Sequence, residues 1–89
     1  MTNILSRANE IVYSRSEEKE RQYGPMDETH ERTAKIASLL ANKEFTAKDI
    51  YIMKVAMKLA REAYSHKEDN LLDACAYIAG LNDFLEKEN

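Results

Sequence analysis

Lys58 and Arg61, followed by Asp69 and Asp73, are the side chains of this sequence whose types and spacing could do chemistry. The cations stand i, i+3 in Met57-Lys58-Leu59-Ala60-Arg61, and the carboxylates i, i+4 in Asp69-Asn70-Leu71-Leu72-Asp73. On a helix each spacing puts both groups on one face, a turn apart. Lys54 and Tyr51 extend the basic line and Tyr77 the acidic one. If the two segments pack antiparallel, the lines can meet. The functional reading is then a phosphate or metal–phosphate pocket, with Lys58 and Arg61 as anion donors and the carboxylates as ligands or orienters. The structural reading is a salt-bridge network, because an isolated charge buried on an apolar helix costs several kcal/mol.

Glu28 and Glu31, at i, i+3 in Glu28-Thr29-His30-Glu31, could share a divalent cation. The same pair is also what a helix start favours, since the macrodipole stabilises carboxylates in the first turn. His30 and His66 have no second His or Cys at ligand spacing, so the pattern does not point to zinc. Cys75 lies on an apolar stripe and reads as a core residue, and Met53 and Met57 read as core filling.

Four helical segments would position these groups. Ile4, Leu5, Ala8, Ile11 and Val12 form one helical stripe in a segment from Thr2 to Arg21, which turns polar after Val12. Gly24-Pro25 breaks the chain there. The second predicted helix runs from Met26 to Ala41, with Asp27 near its start and a weak stripe of Met26, Ala34, Ala37 and Leu40 beside Ile36 and Leu39. Asn42 suits its end, and Phe45 is expected to anchor the following loop. Thr46-Ala47-Lys48-Asp49 resembles a capping box with Asp49 in the usual Glu position. The third predicted helix, Thr46 to Tyr64, is the most apolar. Ile50, Met53, Ala56, Met57 and Ala60 form its stripe, and Ile52, Val55 and Leu59 widen it. It is expected to be the most buried element. A short link then leads to a fourth helix, starting between Ser65 and Asp69, running to Lys87 and burying Leu71, Leu72, Cys75, Ile78, Ala79 and Leu85.

Composition sets the class and excludes others. The 89 residues make one domain, 1–89, with 2 Gly, 1 Pro, no Trp, 33% charged and 44% hydrophobic residues. A sheet protein of this size needs more turn and β-branched residues, so the expectation is all-α, a small four-helix bundle. A chain this short buries only about 60–65% of its unfolded surface, so a homo-oligomer, most simply a dimer, is expected to complete it. The single Cys75 cannot form an internal disulfide, and no segment has a signal-peptide core or the roughly 20 apolar residues of a membrane span. The expected location is therefore the cytoplasm. A net charge of −3 argues against broad binding to nucleic acid.

Lys19-Glu20-Arg21-Gln22-Tyr23-Gly24-Pro25 and Glu28-Thr29-His30-Glu31-Arg32-Thr33-Ala34 resemble the charged-Tyr-Gly segment and following helix of a small phage and prophage family. That family is related to the MazG-like all-α nucleotide pyrophosphatases. The likeness continues through Phe45-Thr46-Ala47-Lys48-Asp49-Ile50, Met57 to Arg61, and Asp69 to Tyr77, covering nearly the whole chain in order. The resemblance implies a MazG-like bundle, active sites between subunits and a host-cytoplasmic setting. In the wider superfamily an E-x-x-E and an E-x-x-D on consecutive helices hold magnesium against a triphosphate. Here the first reads Lys58-Leu59-Ala60-Arg61, and the second, Asn70-Leu71-Leu72-Asp73, keeps only Asp73, with Asp69 as a partial substitute. Cations in place of carboxylates repel a metal and attract phosphate.

The expected function is nucleotide binding with little or no hydrolysis: Lys58 and Arg61 on phosphate, Asp73 and Asp69 orienting them or touching ribose, and Tyr23 or Tyr77 stacked on a base. In the family's setting such binding could sequester a nucleotide signal of host defence. One alternative is a magnesium-dependent nucleoside triphosphate pyrophosphatase using Glu28, Glu31, Asp69 and Asp73. The other is a non-catalytic helical adaptor of host takeover, its charged lines serving only as ion pairs.

Overall fold

The computed structural model describes residues 3–7 and 25–88. All the regular structure among them is helical: α1 at residues 4–7, α2 at Met26–Ala41, α3 at Ala47–Tyr64 and α4 at Glu68–Glu88. No described helix is long and apolar enough to cross a membrane. Most of the predicted first helix and the Gly24 side of the Gly24-Pro25 break lie outside the described residues.

The helix ends follow from local chemistry. Pro25 precedes α2 in an extended conformation, and Asn42 closes the helix at φ 53°, in the left-handed region that asparagine tolerates. Phe45 is half-buried, and its N–H donates to Ser38 Oγ at 2.9 Å, which ties the connecting loop back to α2. The predicted capping box is formed. Asp49 N donates to Thr46 Oγ1 at 3.3 Å, and Thr46 N donates to Asp49 Oδ2 at 2.9 Å. Ser65, His66 and Lys67 link α3 to α4. There Glu62 accepts from His66 Nδ1, from Lys67 N at 3.0 Å and from Asn70 Nδ2 at 3.5 Å. Arg7 pairs with Glu68 and so fixes the α1 turn to the start of α4.

α3 and α4 are antiparallel neighbours. Lys58 meets Asp73, Tyr51 meets Gly80, and Ala47 packs in one cluster with Phe84. α2 crosses them with its N-terminal half, reaching Tyr51, Tyr77, Gly80 and Lys87 through Met26, Asp27 and His30. One apolar cluster sits where α3 starts and α4 finishes, while Leu72 and Ala74 are buried in the first half of α4. Ala47, Tyr51 and Phe84 form that cluster, with Met26, Tyr77, Leu81 and Leu85 packed around them.

Three burial expectations need correction. α3 is the middle element, but only Ala47, Ile50 and Tyr51 of its side chains are buried, while Ile52, Met53, Met57 and Leu59 are exposed. Met53 and Met57 are thus not core filling. On α2, Ile36, Leu39 and Leu40 are exposed, and His30 and Ala34 are the buried positions. On α4, Ile78 and Ala79 face solvent, whereas Asn70, Leu72, Ala74 and Phe84 are buried. One rotation explains the α3 result. The side it turns toward its neighbours is the line Ala47, Tyr51, Lys54, Lys58 and Glu62, spaced i, i+4, i+7, i+11 and i+15. The polar line of α3, rather than its apolar stripe, is the packed face.

Candidate functional site: a polar and aromatic seam between α3 and α4

Because α3 packs through its polar line, the interface with α4 carries charge and aromatic rings along its length. At one end Lys58 Nζ lies 2.9 Å from Asp73 Oδ2, with side-chain exposures of 15% and 27%. The sequence-level meeting of the basic and acidic lines is present as this pair. Arg61, one turn further along α3, is exposed and has no ion pair among the described residues. Asp69, one turn before Asp73, is exposed as well.

The middle of the seam is aromatic. Tyr77, half-buried, lies against His30 with ring centroids 6.1 Å apart, and His30 stacks on Tyr51 at 4.1 Å with planes 13° apart. His30 Nδ1 donates to the Met26 carbonyl at 2.7 Å, which places the proton of the neutral ring on that nitrogen. Nε2 is then a buried acceptor with no donor in reach among the described residues. Burial, reinforced by the nearby Lys54 cation, holds the His30 pKa below its ordinary value near 6.5. The ring is neutral at pH 7.

The far end is closed by a second charged group. Tyr51 is fully buried, and its hydroxyl donates to Asp27 Oδ1 at 2.5 Å. Desolvation, followed by that bond to a carboxylate, pushes the Tyr51 pKa far up. Asp27 Oδ2 also receives Lys87 Nζ at 3.3 Å. Gly80 lets this end close. A Cβ there would lie 3.1 Å from Tyr51 Cε1 and 3.2 Å from Met26 Sδ.

Of the sequence-predicted residues, Lys58, Asp73 and Tyr77 lie along the seam, with Arg61 and Asp69 beside its Lys58 end. Tyr23 lies outside the described residues. Glu28 and Glu31 are exposed on α2, and no group of three or more His, Cys, Asp or Glu side chains gathers among the described residues. The set Glu28, Glu31, Asp69 and Asp73 is therefore not assembled as a magnesium site, and Asp73 already carries Lys58. Cys75 is a free, half-buried thiol. Sequence reasoning missed Asp27, His30 and Tyr51 as site-builders. Tyr51 on the basic line was the available signal, because a tyrosine in register with two lysines marks a face that is not simply solvated.

The family model for a domain of unknown function, DUF6378, matches residues 3–84. The chain belongs to that family. It is 32% identical over 87 residues to the Gene 55 protein of Mycobacterium phage L5, an alignment covering 96% of this chain and 51% of the phage protein. The chain thus spans about half the length of that relative. No solved structure matches it. Membership in the DUF6378 family and a phage relative agree with the phage resemblance read from the motifs.

Proposed function

We propose that the chain is a nucleotide-binding phage-type protein whose phosphate is taken by Lys58 and Arg61 at the Asp73 end of the seam. The observation that supports this most directly is the rotation of α3. Within the protomer, α3 sets its basic line rather than its Met53 and Met57 stripe against α4, with Lys58 held by a carboxylate and Arg61, which has no ion pair among the described residues, beside it. In this reading Asp73 fixes the Lys58 ammonium until phosphate oxygens share it, Asp69 supports Arg61 or contacts a sugar hydroxyl, and Tyr77 offers a ring to the base. The resemblance to the MazG-like pyrophosphatases supports the ligand class. Replacement of their carboxylates by Lys58 and Arg61 supports binding over metal-dependent hydrolysis. For a phage protein, such binding fits the sequestration of a nucleotide signal of host defence.

Isothermal titration against a nucleotide panel, with and without magnesium, tests the proposal. Wild type is expected to bind at micromolar to sub-millimolar concentration without needing magnesium. Lys58→Met is expected to weaken binding by roughly 2–3 kcal/mol, the scale of a lost charge-assisted hydrogen bond, while changing stability by about 1 kcal/mol or less. Asp73→Asn should reduce both, because it frees a half-buried cation. Absence of binding at millimolar nucleotide, or an unchanged affinity for Lys58→Met, would refute the site. Magnesium-dependent release of pyrophosphate would return the enzyme reading.

A further inference from the structure

The rotation that turns Lys58 inward has an equal consequence on the other side of α3. From Ile52 to Tyr64 the outward half of the helix carries no charge. Its large side chains are Ile52, Met53, Met57, Leu59 and Tyr64, exposed to 48%, 43%, 37%, 50% and 95%. Ala56, Ala60 and Ala63 fill the positions between them and are also exposed. Lys54, Lys58, Arg61 and Glu62 all fall on the other half.

We propose that this face is the interface of a two-fold homodimer, α3 packed antiparallel against the partner's α3. Three properties favour a second copy as the occupant. The first is area. With about 200 Å² for a free Leu, Ile or Met side chain and somewhat more for Tyr, the exposed fractions sum to roughly 600 Å², at the lower end of the ~600–1,000 Å² per partner of a standard interface. The second is the lack of charge, which leaves no electrostatic feature to select a partner of different composition. The third is self-complementarity, the requirement of an isologous contact. In an antiparallel pair centred on position 58, Ala56 meets the partner's Ala60 and lets the backbones approach. Met53 then meets the partner's Ala63, large against small, and Ile52 meets the partner's Tyr64. Left in water, the face would stand at the upper end of the largest apolar patches that monomers carry.

Sedimentation equilibrium of the full chain, from about 1 to 100 µM, reads the oligomer directly, and a true dimer also raises its thermal midpoint with concentration. The expected mass is twice the 10.3 kDa of one chain. Ala60→Glu, which puts two carboxylates at the centre of the contact, is expected to weaken association at least a hundredfold. It should leave the far-ultraviolet helical signal of the monomer intact, because position 60 is exposed within the protomer. Met53→Lys, at the edge, should act the same way more weakly, and provides the reading if Ala60→Glu fails to fold. A single-chain mass across the range with a concentration-independent midpoint would overturn the proposal. So would a folded Ala60→Glu protein that remains a dimer.

Discussion

At the scale of single residues, the seam is decided by groups that are buried yet ionisable or polar. His30 has its pKa lowered by burial, so its neutral ring contributes stability that is fully present above the unfolded value near 6.5. As pH falls below 6.5 the unfolded chain takes up the proton first, and stability declines until the folded pKa is reached. Glu62 is also shifted downward, chiefly by the hydrogen bond from His66, but its contribution is lost only below its ordinary value near 4.5. Denaturant titrations between pH 7.5 and 5.5 cover the His30 window, and comparison with a His30 variant separates it from His66, whose ring bonds to Glu62. We expect wild type to lose stability across that interval and His30→Gln to show a flatter profile, whatever its absolute stability; equal slopes would contradict the assignment. Tyr51→Phe removes the donor to Asp27 while preserving the ring stack. It should cost about 1–2 kcal/mol in the same titrations, the cost of a half-buried carboxylate losing one partner while Lys87 remains.

At the scale of elements, the sequence carried the helix ends more fully than the helix orientations. Thr46 and Asp49 define the start of α3 through bonds within four residues, and Asn42 closes α2 through its own backbone. Such local signals are legible without knowing the neighbours. Thr46→Ala should accordingly cost about 1 kcal/mol, measured by thermal melting, as loss of an N-cap acceptor does. The rotation of α3 was not legible, because its apolar stripe read alone places Met53 and Met57 inside. What reverses it is long-range: Tyr51 fits between His30 and Phe84, and Lys58 meets Asp73 a helix away. The meeting of the basic and acidic lines could be read, since antiparallel packing of two helices with a short link follows from spacing alone. The contribution of α2 could not, because Asp27 and His30 also look like ordinary first-turn residues. Gly80 belongs to the same scale. Gly80→Ala gains about 1 kcal/mol of helix propensity but sets a methyl against Tyr51, which is buried and fixed by Asp27 and cannot move aside. We expect melting of Gly80→Ala to show no gain or a net loss of about 1 kcal/mol. A clear stabilisation would mean that Tyr51 is free to shift.

At the scale of the whole molecule, the asymmetric position of the aromatic cluster implies that stability is unevenly distributed. Ala47, Tyr51 and Phe84 gather where the N-terminal half of α2 crosses the start of α3 and the end of α4, while Leu72 and Ala74 are buried in the first half of α4. The C-terminal two turns of α2 present Ile36, Leu39 and Leu40 to solvent, with Ala34 and Ser38 the nearest sheltered positions. Local opening needs little free energy where few apolar contacts are broken, and rises toward the global value in the core. Amide hydrogen exchange is therefore expected to be slowest around Tyr51 and from Ala74 to Phe84, and faster by orders of magnitude around residues 38–41. The Lys58 end should be intermediate in the free protein, since buried Leu72 is joined there by one ion pair and the Glu62 hydrogen bonds rather than by an aromatic cluster. Added nucleotide should slow exchange near Lys58, Arg61 and Asp73 and leave residues 38–41 unchanged. Uniform slowing over the whole chain would indicate global stabilisation alone and give no support to that location. Protection confined to α2 would place the ligand elsewhere and refute the assignment to the Lys58 end.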